Sequence, residues 1–157
     1  MKKCNCTLFR ALILAALCIV LIMAAASCQA PASSNGESGN KPFYVIGHRG
    51  AAGLAPENTL ASFARACEEG VDAFELDVLL TADGELVVYH DFRLKPELTR
   101  SSDGKWLTSD SLPAINALKL ADLKKYDVGR LKPGTRYSRR YPEQTPSDGE
   151  RIPTLRE

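Results

Sequence analysis

The sequence predicts a domain of the α/β class, and three successive patterns support this prediction. The continuous apolar run FYVIG at 43–47 is typical of a strand buried on both faces. After a glycine-rich turn, apolar residues recur at helical spacing. Two further apolar segments, DAFELDVLL and LVVYHD, are typical of strands. Buried strands that alternate with a helix favour an α/β domain.

The predicted helix begins near Thr59 and ends at Gly70, because Pro56, Asn58 and Thr59 are start signals and glycine is a stop signal. Its apolar stripe is expected to face the core, and Cys67 is expected to be a small core residue. The stripe contains Leu60, Phe63, Ala64, Cys67 and Val71.

Residues 1–27 are predicted to be a lipoprotein signal peptide rather than part of the fold. Lys2, Lys3 and Arg10 precede an uncharged apolar run from residue 11 to residue 26, which is short for a membrane span of about 20 residues. The run ends in MAAASC, so we expect cleavage before Cys28 and lipid attachment to its thiol. Plain secretion and an uncleaved anchor are the alternatives. The predicted location is outside the cytoplasm, lipid-anchored to the cell envelope on the periplasmic side or the cell surface.

The remaining chain is weakly charged and has a flexible start. The leader holds three of the 20 basic residues and none of the 19 acidic ones, so residues 28–157 have a net charge of −2. This charge gives no reason to expect a nucleic-acid partner. Residues 28–41 are rich in Pro, Gly, Ser and Asn, which predicts a tether. The domain is then assigned to residues 42–157, with a polar insertion at 95–151 around one short helix. RIPTLRE at the end is expected to begin another helix.

Two acids and two histidines are the candidates for chemistry. Glu75 and Asp77 alternate with apolar residues, so they share one face of a strand about 6.5–7 Å apart. They suit a hard divalent cation, although a wet acidic face would show the same pattern. His48 and His90 each follow an apolar strand, at the edge where α/β folds bind ligands. A core histidine that is merely hydrogen-bonded is the alternative for each.

The connection between the second and third strands has two interpretations. A tight hairpin centred on Asp83 and Gly84 would place Asp77 opposite His90. A parallel arrangement would place both residues at the same rim, although this connection would be unusually short for a crossover. Both arrangements bring the acids near His90.

Five motifs, in this order and spacing, closely resemble the glycerophosphodiester phosphodiesterases: GHRG at 47–50, PENTLASF at 56–63, ELDV at 75–78, TADG at 81–84 and VVYHD at 87–91. The resemblance runs from about residue 43 to residue 157. It implies a (β/α)8 barrel with a small insertion after the third strand, and hence the parallel arrangement. It also implies an enzyme of lipid and glycerol metabolism that hydrolyses glycerophosphodiesters to glycerol 3-phosphate and an alcohol.

The resemblance also implies site roles. His48 and His90 would be the acid–base pair, and which of them is the acid and which the base stays open. Arg49 would bind the phosphate, and Glu75 and Asp77 would bind Ca²⁺ or Mg²⁺. Glu57 would line the site.

The length of the chain adds a further expectation. A barrel of this kind takes about 250 residues. We therefore expect an N-terminal portion of the barrel, with the family's third metal-binding glutamate beyond Glu157, and a purified chain that is unstable and inactive. Alternatives to catalysis on small diesters are a lipid-anchored phosphodiester-binding module and a phospholipase acting on intact lipid. A basic run at 130–140 could contact lipid in the latter, but a solvated face is favoured.

Overall fold

The computed structural model describes residues 43–110 and 112–157. The predicted signal peptide, the tether and the lipidation at Cys28 lie outside these residues. The strands are β1 (Ile46–Gly47), β2 (Ala73–Phe74), β3 (Val78–Leu80) and β4 (Leu86–Val88). The α-helices are α1 (Leu60–Glu68) and α2 (Leu120–Leu123), and short 3-10 turns occupy Ile115–Ala117 and Ser138–Arg140. None of the helices in this part of the chain combines the length and apolar character needed to cross a bilayer.

β1 and β2 pair in parallel, with Ile46 beside Ala73 and Gly47 beside Phe74. This is the strand–helix–strand unit that the sequence predicts, with α1 as the crossover. The burial of β1 was predicted incorrectly, because Ile46 is 60% exposed and Phe43 is 70% exposed. Within the described residues, β1 has β2 as its sheet neighbour, and α1 lies against the buried Gly47, where a Cβ would be 3.4 Å from Ala66.

Helix α1 begins where expected but buries a different face. The Thr59 side chain accepts a hydrogen bond from the Ser62 amide and caps the helix. The buried residues are Ser62 and Ala66, whereas Leu60 and Cys67 of the predicted stripe are exposed. The prediction of Cys67 as a core residue is therefore wrong. The glycine-rich turn approaches α1 so closely that small side chains fill the interface.

β3 and β4 form an antiparallel hairpin, so the parallel arrangement implied by the resemblance is wrong for these two strands. The connecting residues 81–85 are too few for a parallel crossover, and Gly84 at φ 84° closes the turn. The hairpin register also differs by one residue from the tight hairpin considered above. Val78 pairs with Val88, and the Tyr89 amide donates to the Asp77 carbonyl at 3.0 Å. Asp77 therefore lies opposite Tyr89, not His90.

The largest buried cluster joins β4 to residues in and beside the 95–151 segment. This segment contributes Ile115, Leu123 and Val128, so it forms core rather than a purely polar excursion. Residues 151–157 do not begin a helix as expected. The Val88 amide donates to the Pro153 carbonyl at 2.8 Å, and Thr154 forms an antiparallel bridge with Val87. The complete cluster is Val87, Tyr89, Leu94, Ile115, Leu123, Val128 and Ile152.

Candidate active site

The predicted site residues follow strands or precede α1, and the backbone presents them to one another. His48 and Arg49 leave β1, and Arg49 adopts a left-handed backbone at φ 54°. The Glu75 amide donates to the Gly47 carbonyl at 2.8 Å, so the segment after β2 continues beside the turn after β1. His90 lies two residues after Val88, the last residue of β4, at the strand end that the sequence predicts.

Arg49 is the centre of the cluster. Its Nη1 donates to Glu57 Oε1 at 2.7 Å, and its Nε lies 3.4 Å from Asp77 Oδ2. The Arg49 side chain is 12% exposed and that of Glu57 is 5% exposed, so this ion pair is largely shielded from water. Burial alone would lower the pKa of the guanidinium, but Glu57, Tyr137 and Asp77 outweigh it and the pKa is raised. Arg49 therefore stays charged.

Asn58 holds Asp77. Its Nδ2 donates to Asp77 Oδ2 at 3.0 Å, and its Oδ1 lies 3.5 Å from the Asp77 amide nitrogen. Asn58 also adopts the left-handed backbone, at φ 55°, which asparagine tolerates better than most residues. Asn58 is predicted from the sequence as a helix start signal, and no role in the site is predicted for it. The available signal was the position of Asn58 between Glu57, which the resemblance places in the site, and the helix cap Thr59.

Glu75 lies on the more open side of the cluster. Its Oε2 accepts a hydrogen bond from the Arg49 amide at 3.1 Å and is 4.0 Å from His48 Nε2. The His48 side chain is 64% exposed, which leaves the imidazole accessible. The structure thus brings together the predicted residues His48, Arg49, Glu75 and Asp77, and Glu57, whose place in the site the resemblance implies.

The site has two parts. The first arm is the cluster around Arg49 described above, and the second arm consists of His90, Asp91 and Lys95. His90 Nδ1 is 3.4 Å from Asp91 Oδ1, and Lys95 Nζ is 2.8 Å from Asp91 Oδ2. Burial would raise the pKa of Asp91, but Lys95 and then His90 outweigh it and hold that pKa below its usual range. Within the described residues, His90 makes no hydrogen bond or ion pair with the carboxylates of the first arm.

Tyr137, from the 95–151 segment, contacts both arms and was missed from the sequence. Its hydroxyl donates to Glu57 Oε2, and Lys95 Nζ lies 4.8 Å from the centre of its ring. Burial and the Glu57 carboxylate raise the pKa of the Tyr137 phenol. The segment carries three tyrosines, and no local pattern in the sequence distinguishes this one.

Glu75 and Asp77 fit a divalent cation in donor type but supply few ligands. Each keeps one carboxylate oxygen without a hydrogen bond in the part of the chain that the structure describes, Oε1 of Glu75 and Oδ1 of Asp77. Glu57 and Asp77 face the Arg49 guanidinium, and the Glu75 carboxylate accepts from the Arg49 amide. Negative charge therefore exceeds positive charge in this cluster, which favours a cation. No group of three or more His, Cys, Asp and Glu side chains suited to a metal occurs in residues 43–157 as described.

The basic run is not a uniform free surface. Arg130 Nε donates to Asp148 at 2.8 Å, and Arg139 donates to the Gly134 carbonyl at 2.7 Å. Arg140 lies beside the rings of Tyr137 and Tyr141. Several of these cations therefore have local partners within the protein. The predicted run is Arg130, Lys132, Arg136, Arg139 and Arg140.

Comparisons with known proteins identify the family of the chain. The model of the glycerophosphoryl diester phosphodiesterase family matches residues 48–157. A glycerophosphodiester phosphodiesterase of Caldanaerobacter subterraneus is 42% identical over 113 residues, which cover 72% of this chain and 37% of the relative. One from Bacillus subtilis is 34% identical over 117 residues, covering 73% of this chain and 34% of the relative.

A crystal structure from Silicibacter pomeroyi, assigned to the same phosphodiesterases, superposes with a TM-score of 0.70 at 43% identity. The match covers 72% of this chain and 38% of that one. This likeness supports the barrel fold that the resemblance implies. The chain thus spans somewhat over a third of the length of the relatives that it matches, and it belongs to the glycerophosphoryl diester phosphodiesterase family.

Proposed function

We propose that the protein hydrolyses glycerophosphodiesters to glycerol 3-phosphate and an alcohol. The observation that carries this proposal is the cluster of His48, Arg49, Glu57, Glu75 and Asp77 in a chain of this family. Its relatives are named for the same reaction. The small-molecule diester would be the main partner.

The chemistry follows from these residue types. A phosphodiester must lose an alkoxide while negative charge spreads over the phosphoryl oxygens, and Arg49 would stabilise that charge. One histidine of the pair His48 and His90 would take a proton from the nucleophile, which is water or the adjacent glycerol hydroxyl. The other would donate a proton to the leaving alcohol.

Glu75 and Asp77 would hold Ca²⁺ or Mg²⁺, each through its oxygen that is free of hydrogen bonds. When bound, such a cation supplies positive charge for the phosphoryl oxygens. Two observations support this role: carboxylates are in excess around Arg49, and the Glu75 side chain is 43% exposed.

A direct assay follows glycerol 3-phosphate released from glycerophosphocholine by the chain, with Ca²⁺ or Mg²⁺ and after chelation. Hydrolysis should be lost on chelation and fall by about 100-fold or more in His48→Ala and His90→Ala. Tyr126→Phe is the control, because Tyr126 is partly buried and packs against the hydrophobic cluster. Release that survives both histidine substitutions would contradict the assignment.

Binding without hydrolysis is the second candidate, favoured by the small number of metal donors among the described residues. It predicts that glycerophosphocholine binds without release of product and that His48→Ala does not weaken binding. The same assay decides between hydrolysis by this chain, as proposed here, and the inactivity expected from the sequence, because robust hydrolysis would overturn the latter expectation.

We also propose export and lipid anchoring at Cys28 to the cell envelope, on the basis of the leader. Labelling with a fatty-acid analogue in producing cells should modify the wild-type chain and not Cys28→Ser. Cys67→Ser is the matched control, because Cys67 is exposed but lies within the folded domain. Labelling that persists in Cys28→Ser would contradict lipid attachment at Cys28.

A further inference from the structure

Tyr137 links the 95–151 segment to both arms of the site. We propose that Tyr137 is a positioning residue: its hydroxyl fixes Glu57, which in turn orients the Arg49 guanidinium toward a phosphate ligand. The proposal rests on the proposed function for the identity of the ligand. It assigns the segment a part in substrate binding, rather than a purely structural one.

The Glu57 carboxylate is the intermediate in this arrangement. It is 5% exposed on its side chain, and both of its oxygens are used. Oε1 accepts from Arg49 Nη1 at 2.7 Å, and Oε2 accepts from the Tyr137 hydroxyl. A buried carboxylate with one oxygen unpaired is costly, so loss of the hydroxyl should make Glu57 reorient.

The geometry of Arg49 makes that reorientation matter. Glu57 holds Nη1, and Nε faces Asp77 at 3.4 Å as a buried atom without a hydrogen bond. Nη2 makes no hydrogen bond within the described residues, and unlike Nε it is not a fully buried atom without a partner. Nη2 is therefore the donor left to meet a ligand, and its direction is set by the Glu57 pair.

The ring of Tyr137 acts on the second arm. Lys95 Nζ lies 4.8 Å from the ring centre and 2.8 Å from Asp91 Oδ2. The Lys95 amide donates to the buried Tyr89 hydroxyl at 2.8 Å, which anchors the start of the segment. Because Tyr137→Phe keeps the ring and removes only the hydroxyl, it isolates the Glu57 contact.

The test compares Tyr137→Phe with the matched control Tyr126→Phe in the full chain. Tyr126 packs on the hydrophobic cluster, and its hydroxyl makes no hydrogen bond in the described residues. The side-chain Nε–H signal of Arg49, assigned with Arg49→Lys, is followed by NMR during titration with inorganic phosphate. We expect Tyr137→Phe to shift this signal and weaken phosphate binding about 10-fold. Tyr126→Phe should change neither.

A reciprocal measurement uses the phenol. Ultraviolet absorbance of tyrosinate should show two tyrosines that titrate above the ordinary range, Tyr89 with a burial-raised pKa of about 12 and Tyr137, of which only the latter is removed by Tyr137→Phe. Glu57→Gln should return the Tyr137 pKa toward the ordinary value, because the neighbouring negative charge is gone. An unchanged Arg49 signal in Tyr137→Phe, or a Tyr137 phenol indifferent to Glu57→Gln, would overturn the proposal.

Kinetics separates this proposal from the proposed function. If wild type hydrolyses glycerophosphocholine, Tyr137→Phe should raise KM about 10-fold and leave kcat within about threefold. An unchanged KM beside a shifted Arg49 signal would overturn the substrate-positioning role. If wild type does not hydrolyse it, the proposed function fails for this chain, while the phosphate titration still decides whether Tyr137 positions Arg49.

Discussion

Asn58 combines an unusual backbone with two contacts to Asp77, and paired substitutions separate these roles. Asn58→Gly keeps the left-handed conformation and removes the side chain, whereas Asn58→Ala loses both. Both variants should weaken cation binding to a similar degree, because Asp77 is no longer held. Asn58→Ala should lose about 1–2 kcal/mol more of the free energy of unfolding, measured by urea denaturation. Equal stability of the two variants would contradict the strain argument.

Lys95 controls the ionisation of Asp91. The Asp91 pKa is lower in the folded state than in the unfolded state, where it is about 4. Ionised Asp91 therefore stabilises the fold above the unfolded pKa, and this contribution is lost as pH falls through the folded pKa. Lys95→Met leaves burial less opposed, so the Asp91 pKa should rise toward or above its unfolded value. The variant should therefore be less stable than the wild type at neutral pH and should lose less stability as pH falls from 7 to 2. Carbon NMR of the carboxyl and unfolding at pH 2–7 measure both effects.

The control for this substitution is Lys105→Met. Lys105 pairs with Asp103 at 2.7 Å, but that pair is exposed, so its loss should barely change the free energy of unfolding. An Asp91 pKa that does not move in Lys95→Met would remove Lys95 as the dominant partner.

At the scale of elements, the turn between β1 and α1 depends on the absence of side chains at two positions. A Cβ on Gly47 would lie 2.2 Å from the Gly50 carbonyl oxygen, and one on Gly50 would meet Ser62 at 2.6 Å. Ser62 Oγ also accepts from the Ala51 amide at 2.8 Å and donates to the Arg49 carbonyl at 2.9 Å. The contact with α1 therefore fixes the turn that carries His48 and Arg49.

Gly47→Ala should consequently destabilise the chain by about 2 kcal/mol or more, because backbone atoms would have to move. Gly53 is the internal control: a Cβ there would meet no atom within 4 Å and its backbone is not left-handed. Thermal unfolding of the two variants is the measurement. Equal melting temperatures would show that the close approach is not needed for folding.

The elements also show how far sequence patterns reach. The start of α1 was predictable, because Thr59 caps it by a local hydrogen bond. Its buried face was not, since the turn packs against Ser62 and Ala66 by tertiary contact. Phe63 of the predicted stripe instead packs on Phe74, with ring centres 5.0 Å apart. The antiparallel pairing of β3 and β4 follows from the short connection between them, whereas the resemblance implied a parallel pairing.

For the whole molecule, the site residues carried by strand ends were predictable and those carried by the 95–151 segment were not. His48, Arg49 and Glu75 directly follow β1 or β2, so the ends of the apolar runs locate them. The prediction that Glu75 and Asp77 share one face of a single strand is wrong, because residues 75–77 lie between β2 and β3. Tyr137 reaches Glu57 across 80 positions of sequence, and no periodic pattern predicts such a contact. The approach of His90 to the acids stays a prediction, because Asp77 is opposite Tyr89 and His90 pairs with Asp91.

The central claim is that His48, Arg49, Glu75 and Asp77 form one cation-dependent site for a glycerophosphate group. The most direct measurement is an NMR titration of the chain with glycerol 3-phosphate, with and without Ca²⁺, that follows the side-chain signals of His48 and Arg49. With Ca²⁺ both signals should shift, and chelation or the double substitution Glu75→Gln, Asp77→Asn should weaken binding about 10-fold or more. Equal affinity with and without the cation, or shifts confined to other residues, would contradict the claim.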